Sequence, residues 1–349
     1  MKKVNVVVQT AFIGDLFLSI PLLFRLKKIF PHHETILVCK KGLKETFIKW
    51  NIVDYVFEIE KGNSSSYHQI SQQINEFDVQ NVFCLHRSLR SALFTLKIKA
   101  KNKIGFGGIL KRIFFNSVTP YIKAWPDVIR QMSILIPLDA ETKKMMKSRD
   151  WTYLNHKNTG SGFDPIPDFF QFPIINSSIE QKQTVKKQVG IFPGSVWATK
   201  KWTTSGFAEV AQRLIKMGVR VCIMGGLDDL ADSLAIHKLA PGVENLTGQL
   251  SLFESSMYVS KFDLIICNDS APAHIAASLQ RPVLSLFGPT VLDFGFRPWN
   301  DKSQVIEEVL SCRPCGPHGH AKCPLGHHDC MKKMSADSVF KKSIEMLNL

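Results

Sequence analysis

The stretch from Lys261 to Thr290, KFDLIICNDSAPAHIAASLQRPVLSLFGPT, has the pattern of a strand, a tight loop, a helix and a second strand. Leu264 to Cys267 is a short apolar run, as expected of a strand buried on both faces of a parallel sheet. Residues 268–270 end this run with side chains that cap helices, and Pro272 falls in the first turn of the next helix. The stretch therefore predicts a βαβ unit of a parallel α/β sheet.

The loop of this unit is a candidate ligand site, because ligands of open α/β sheets bind beyond the carboxyl ends of the strands. Asp269 is placed to meet a ribose or sugar hydroxyl. The amides of Ser270 and Ala271, at the start of the helix, are placed to meet a phosphate. A plain βαβ unit with a capped helix explains the same residues, so this stretch alone leaves both interpretations open.

Strand and helix signals alternate twice along the 349 residues, which is a length typical of two domains. The first set begins with the apolar run Val4 to Val8, and the second begins with Val189 to Phe192. Glycine, proline and polar residues separate the two sets. The pattern predicts an α/β protein with two doubly wound, Rossmann-like domains that face each other across a central cleft.

We set the domain boundaries by these signals. The first domain spans 1–165, a linker spans 166–188, and the second domain spans 189–330. Residues 331–349 are predicted to form an amphipathic helix that crosses back and packs on the first domain.

Composition limits the location and the partners of the chain. The hydrophobic fraction of 45% is ordinary for a globular protein, and the sequence has no apolar run long enough to span a bilayer. The first residues lack the long apolar core of a signal peptide, so the expected location is the cytoplasm. The net charge of +14 is uneven, because residues 1–150 hold 24 Lys and Arg against 12 Asp and Glu. A basic first half is typical of proteins that meet nucleic acid, an anionic membrane surface or a phosphorylated substrate.

The basic residues are densest between Arg87 and Arg112, a segment without any acidic residue. Apolar residues such as Leu93 and Phe106 are interleaved with them. Such a run is often a solvated face, but the interleaving also suits a surface that meets phosphate-bearing lipid.

Asp15 follows the first predicted strand, at the start of the next helix. One interpretation is a helix-capping carboxylate, and the other is a general base at the ligand-binding edge of the sheet. Position alone favours the cap.

Four segments, taken in order, go beyond fold-level inference. They are Phe12-Ile13-Gly14-Asp15-Leu16, Phe192-Pro193-Gly194-Ser195 through Lys200-Lys201-Trp202, Gly225-Gly226-Leu227-Asp228-Asp229, and Asn268 to His274 through Phe287-Gly288-Pro289-Thr290. This ordered set resembles glycosyltransferase family 9, the ADP-heptose:lipopolysaccharide heptosyltransferases. The resemblance implies a GT-B fold and inverting transfer of a heptose, without a required metal, from a nucleotide-diphosphate sugar to the lipopolysaccharide inner core.

The resemblance also implies roles for individual residues. Asp15 matches the family's general base. The donor-substrate residues that match are Ser195, Lys200, Lys201, Asp229, Asp269, Ser270 and Ala271. His274 fits the pattern too, although a packed histidine is the preferred interpretation. Pro272 departs from the family's usual sequence and removes one amide from the expected phosphate cradle.

The implied acceptor is an anionic glycolipid, the lipid A-core, bound by Arg87, Arg90, Lys101 and Lys103. The enzyme would then work peripherally at the inner face of the cytoplasmic membrane. The alternatives are a non-hydrolysing nucleotide-sugar epimerase of the same fold and a family member with another donor sugar. A nucleic-acid binder is disfavoured, because no stacking-aromatic motif of RNA readers is present.

Cys312, Cys315, Cys323 and Cys330 cluster near the end of the chain, with four histidines between them. Thiolate and imidazole ligands suit a structural zinc ion. The second cysteine pair lacks the usual Cys-x-x-Cys spacing. Zinc, disulfides and reduced thiols all remain open at this point.

Overall fold

The computed structural model describes residues 2–107, 109–157, 162–175 and 186–349. These form two compact units, Met1–Tyr153 and Leu154–Leu349. The first unit ends at Tyr153, before the predicted boundary at residue 165. Residues 176–185 of the predicted linker lie outside the described ranges.

The first unit contains one parallel sheet in the order β3-β2-β1-β4-β5-β6. Its strands are β1 (Lys3–Val8), β2 (Glu34–Lys40), β3 (Tyr55–Ile59), β4 (Asp78–Cys84), β5 (Asn102–Phe106) and β6 (Ser117–Thr119). Its helices are α1 (Ile13–Phe17), α2 (Ile20–Ile29), α3 (Lys44–Lys49), α4 (Ser64–Ile74), α5 (Leu89–Leu96), α6 (Asp127–Met132) and α7 (Ala140–Lys147).

The centre of this sheet is apolar on both faces, because the valines of β1 are fully buried. The register between the central strands is fixed by polar side chains. Asn81 on β4 donates to Asn5 on β1 at 2.8 Å, and Asn102 on β5 donates to Asn81 at 2.8 Å. A shift by one residue would bury these amides without partners, so the ladder selects one alignment.

The second unit repeats the topology, in the order β12-β11-β10-β7-β8-β9. Its strands are β7 (Gln188–Phe192), β8 (Arg220–Ile223), β9 (Glu244–Asn245), β10 (Leu264–Asn268), β11 (Val283–Phe287) and β12 (Gln304–Glu307). Its helices are α8 (Thr204–Lys216), α9 (Leu230–Leu239), α10 (Leu252–Val259), α11 (Ala271–Ser278), α12 (Asp329–Lys332) and α13 (Ala336–Leu347). The predicted unit of strand, helix and strand around residues 264–287 is therefore formed by β10, α11 and β11.

The last helix packs within the second unit. Val339, Phe340 and Leu347 of α13 join the apolar core of that unit. The Arg213 guanidinium of α8 lies 3.9 Å from the centre of the Phe340 ring and 3.0 Å from Asp337. Within the second unit these contacts cover the apolar face of α13, and packing of this helix on the first domain stays a prediction.

Both sheets have the strand order of doubly wound nucleotide-binding folds. In each unit the order reverses between two central strands, β1 and β4 in the first and β7 and β10 in the second. The loops after these four strands define the expected ligand sites. Every helix in the described ranges is too short or too polar to span a bilayer.

Candidate active site

Asp15 follows β1, in the first turn of α1. Its Oδ2 accepts the backbone N–H of Phe12 at 3.0 Å, so the carboxylate does cap the short helix. The side chain is nevertheless half-buried, not fully enclosed. The capping interpretation and the general-base interpretation are therefore compatible in this structure.

Burial raises the pKa of Asp15 to about 7, and the negative charge of Asp127 acts in the same direction. The Phe12 N–H group and the charges of Arg130 and Lys40 oppose this rise. A carboxylate with a pKa near the working pH can accept a proton and release it again, which is what general-base catalysis requires.

Helix α6 brings a second carboxylate close to Asp15. Gln131 donates to Oδ2 of Asp127 at 2.5 Å and to the backbone oxygen of Asp15 at 2.8 Å. Arg130 pairs with Asp127 at 3.0 Å, and all three α6 side chains are buried. Sequence reasoning missed this network, because its residues lie more than a hundred positions from Asp15.

Basic side chains from several strands gather at the same edge of the first sheet. Arg87 and Arg90 follow β4, Lys40 ends β2, and Lys61 follows β3. The Nζ of Lys40 lies 4.9 Å from the centre of the Phe12 ring. Burial lowers the pKa of Lys61, and the positive charges of Lys40 and Arg90 lower it further. This edge can therefore bind an anionic ligand, and Asp15 lies among these basic side chains.

The structure does not bring Lys101 and Lys103 to that edge. Lys101 precedes β5 and Lys103 is its second residue, so both lie at the amino end of a parallel strand. The Nζ of Lys103 donates to the carbonyl oxygen of Leu96 at 3.2 Å. The predicted set of four acceptor residues is therefore split, and only Arg87 and Arg90 share the edge with Asp15. The split follows from the strand direction, which carries a continuous basic run from one edge of the sheet to the other, and an acceptor contact of Lys101 or Lys103 stays a prediction.

In the second unit, Lys200 and Asp269 form a buried ion pair. The Nζ of Lys200 lies 2.6 Å from Oδ2 of Asp269, which also accepts the hydroxyl of Thr290 at 2.6 Å. Asn268, the last residue of β10, accepts the backbone N–H of Trp202 at 2.9 Å and donates to the carbonyl oxygen of Pro193 at 2.7 Å. The loop after β7 is thus fixed against the loop after β10.

The neighbouring Lys201 points to a different partner. Its Nζ lies 2.8 Å from Asp232 of α9. Of the two adjacent lysines, Lys200 pairs with Asp269 and Lys201 pairs with Asp232.

Asp229 packs against the loop after β7, where a side chain in place of Gly194 would collide with the Asp229 carboxylate. Burial raises the pKa of Asp229, while the N–H of Gly226 at 3.0 Å opposes the shift.

The remaining predicted residues of this unit lie at the same sheet edge. Ser195 follows β7, and its hydroxyl accepts the N–H of Trp197 at 3.3 Å. Ser270 precedes α11 and Ala271 is the first residue of that helix, so their N–H groups lie at its positive end. His274 is buried, with 5% of its surface exposed, as the packing interpretation expects.

The cysteine- and histidine-rich segment, residues 312–330, contacts the loop that carries Lys200. Thr199 donates its backbone N–H to the carbonyl oxygen of His320 at 3.1 Å, and its hydroxyl accepts the His320 N–H at 2.7 Å. The Nε2 of His328 lies 2.7 Å from the carbonyl oxygen of Thr199. Sequence reasoning missed this support role, because nothing in the motif indicates which loop it contacts.

The zinc prediction for this segment is not supported. Within the described ranges, no group of three or more His, Cys, Asp or Glu side chains is arranged to hold a metal ion. All four cysteines are free thiols. Cys330 is buried in the apolar core of the second unit, and the thiol of Cys315 donates to the carbonyl oxygen of Cys312 at 3.2 Å. Cys330 is thus placed as a packed apolar side chain, and the Cys315 thiol has a backbone partner.

Comparison with solved structures identifies the fold. The structure of E. coli ADP-heptose lipopolysaccharide heptosyltransferase II superposes with a TM-score of 0.74 at 20% identity, covering 99% of this chain and 98% of that one. E. coli heptosyltransferase WaaC with ADP gives a TM-score of 0.71 at 16% identity, with 99% of each chain covered. The chain thus has the two-domain GT-B fold of glycosyltransferases.

The family follows from the sequence. The model of glycosyltransferase family 9 (heptosyltransferase) matches residues 67–327, and the chain belongs to that family. It is also 22% identical over 360 residues to lipooligosaccharide heptosyltransferase 2 of Haemophilus influenzae, with 98% of each chain covered. The chain is therefore a glycosyltransferase, which decides against the epimerase alternative.

Proposed function

We propose that the chain transfers a heptose from ADP-heptose to the inner core of lipopolysaccharide, with inversion at the anomeric carbon and without a metal. The observation that carries the proposal is Asp15, a half-buried carboxylate with a pKa of about 7 at the ligand-binding edge of the first sheet. The relatives named above support heptose as the sugar and ADP as the nucleotide.

In the proposed reaction, a hydroxyl oxygen of the acceptor sugar attacks the anomeric carbon of the heptose. The hydroxyl proton moves to the carboxylate of Asp15 as the new glycosidic bond forms. The bond between the anomeric carbon and the diphosphate oxygen breaks, and its electron pair leaves with ADP. Because attack and departure occur on opposite faces of the sugar, the anomeric configuration inverts.

The second unit would bind the leaving diphosphate. Lys200 supplies a fixed positive charge, and the α11 N–H groups of Ser270 and Ala271 supply hydrogen-bond donors. Ser195 adds a hydroxyl from the loop after β7. Asp229, held beside the loop after β8, is the proposed partner of the ribose hydroxyls. Lys201 stabilises this region through Asp232 and is not assigned a direct phosphate contact.

The first unit would bind the acceptor. Arg87 and Arg90, with Lys40 and Lys61 at the same edge, suit an acceptor whose sugars carry carboxylate or phosphate groups. The guanidinium of Arg87 stacks on Tyr121 at 4.0 Å, which fixes it in place. A lipid A-core acceptor has this chemistry, and it would hold the enzyme peripherally at the inner face of the cytoplasmic membrane.

A donor panel tests the proposal. The purified chain is incubated with an anionic lipid A-core acceptor and, in turn, with ADP-heptose, ADP-glucose, UDP-glucose and UDP-N-acetylglucosamine. We expect acceptor-dependent nucleotide release and a mass increase of one heptose with ADP-heptose alone. Transfer from a UDP-sugar, or nucleotide release that is independent of acceptor, would contradict it.

A further inference from the structure

Helix α5 presents an apolar stripe to solvent. Leu89, Leu93 and Leu96 are 57%, 48% and 43% exposed. Their spacing of four and three residues places them on one face of the helix. The opposite face, which includes Phe94 and Thr95, is buried against the first unit. Three exposed leucines in line form a surface that water solvates poorly.

Positive charges lie next to this stripe. Arg90 and Lys97, seven residues apart, share the neighbouring face of α5, and both are exposed. Arg112, also exposed, precedes Ile113, which is 75% exposed. In the described part of the chain, none of the basic residues between Arg87 and Arg112 forms an ion pair with a carboxylate. The surface thus combines apolar area with charge that the protein itself does not neutralise.

A second helix shows that exposed leucines alone do not distinguish such a surface. Helix α9 exposes Leu234 by 53% and Leu239 by 49%, much as α5 exposes its leucines. However, α9 carries a single lysine, Lys238, beside these leucines, and Asp228 and Asp232 lie at its start, with Asp232 paired to Lys201. Apolar exposure together with several unpaired positive charges is the feature that sets α5 apart from α9.

We propose that the exposed face of α5 lies in the interface of an anionic bilayer. Leu89, Leu93 and Leu96 enter the boundary between headgroups and acyl chains, while Arg90 and Lys97 bind lipid phosphates. This inference rests on the proposed function in that a lipid-borne acceptor gives the contact its purpose. Arg90 belongs both to the exposed face of α5 and to the basic edge of the first sheet. The membrane contact would therefore hold the acceptor headgroup next to the edge that carries Asp15.

Vesicle binding tests the inference with a matched pair of variants. Leu93→Ser/Leu96→Ser removes two leucines from α5, and Leu234→Ser/Leu239→Ser removes two of similar exposure from α9. Sedimentation is measured with vesicles of phosphatidylethanolamine and phosphatidylglycerol, and with phosphatidylcholine alone. We expect binding to the anionic vesicles to fall by about tenfold for the α5 variant and to stay within about twofold for the α9 variant.

A charge variant keeps the test decisive if the α5 double variant folds poorly. Lys97→Glu should also weaken binding to anionic vesicles severalfold, whereas Lys238→Glu on α9 should not. Transfer to a water-soluble, lipid-free acceptor should be unchanged in the α5 leucine variant. Equal vesicle binding by the α5 and α9 variants, or no binding by the natural chain, would overturn the inference and leave the transferase proposal standing. Selective loss of vesicle binding without any heptosyl transfer would support the membrane surface and reject the proposed function.

Discussion

The ammonium group of Lys200 lies 2.6 Å from the carboxylate of Asp269, with only 13% and 7% of the two side chains exposed. Thr290 donates to the same carboxylate oxygen at 2.6 Å. A buried charge pair is stabilising only when its geometry is good and its remaining polar atoms are satisfied. Here the hydroxyl of Thr290 supplies the extra hydrogen bond. Asp269 therefore fixes Lys200 at the sheet edge where the donor diphosphate is proposed to bind.

This arrangement predicts different outcomes for two adjacent lysines. Lys200→Ala should lower kcat/KM by about a hundredfold or more, because the leaving diphosphate loses its fixed cation. Lys201→Ala should lower it by less than about tenfold, because that lysine pairs with Asp232 instead. Steady-state kinetics of both variants with varied donor check the prediction. Equal losses, or the larger loss at Lys201, would mean that the diphosphate contact was assigned to the wrong lysine.

The raised pKa of Asp15 predicts the pH dependence of the reaction. A general base works only when deprotonated, so kcat/KM should fall about tenfold per pH unit below an apparent pKa of about 7 and level off above it. Asp127→Asn removes the neighbouring negative charge, and the inflection should then move to lower pH. A pH–rate profile of the two proteins measures this. If Asp127→Asn does not move the inflection, the group that titrates in the pH–rate profile is not Asp15.

The raised pKa of Asp15 also predicts how the free energy of unfolding changes with pH. The folded-state pKa of Asp15 lies above its unfolded value near 4, so ionising the half-buried carboxyl costs folding free energy as pH rises. At pH 8 Asp15→Asn should raise the free energy of unfolding by about 4 kcal/mol, and at pH 4 the difference should fall below about 1 kcal/mol. Denaturant unfolding at both pH values checks this. A destabilised Asp15→Asn at pH 8 would argue against the raised pKa.

The split of the basic residues between two edges predicts a contrast in acceptor binding. Arg90→Gln should raise the KM for an anionic acceptor by about tenfold, and the effect should shrink at high salt. Lys103→Gln at the opposite edge should change it by less than about twofold. Acceptor titrations at two ionic strengths make the comparison. A comparable effect at Lys103 would show that the acceptor extends around the sheet.

The sequence predicted the residues that follow β1, β7 and β10, because a buried apolar run followed by capping residues has a clear local pattern. It did not predict the network of Asp127, Arg130 and Gln131, since only the strand order brings α6 next to β1. Nor did it predict that Lys101 and Lys103 lie at the opposite edge of the sheet from Arg87, because charge along the chain does not encode strand direction. Both placements depend on contacts between strands and helices that are distant in sequence, and not on local propensity.

The contacts of the cysteine-rich segment and of α13 also lay beyond local reasoning. Cysteine spacing suggested a metal, whereas the folded segment uses backbone and histidine groups to hold Thr199 beside Lys200. The apolar face of α13 was predicted correctly, but its partner could not be read from the helix itself. An amphipathic pattern indicates that a face is covered and does not identify what covers it.

The most direct test of the central claim compares the natural chain with Asp15→Asn, using ADP-heptose and an anionic lipid A-core acceptor. Calorimetry gives the ADP affinity, and mass spectrometry of the acceptor gives the transfer rate. The account predicts an ADP affinity within about threefold of the natural chain and a transfer rate reduced by about a thousandfold. An Asp15→Asn variant that transfers heptose at a rate close to that of the natural chain would contradict it.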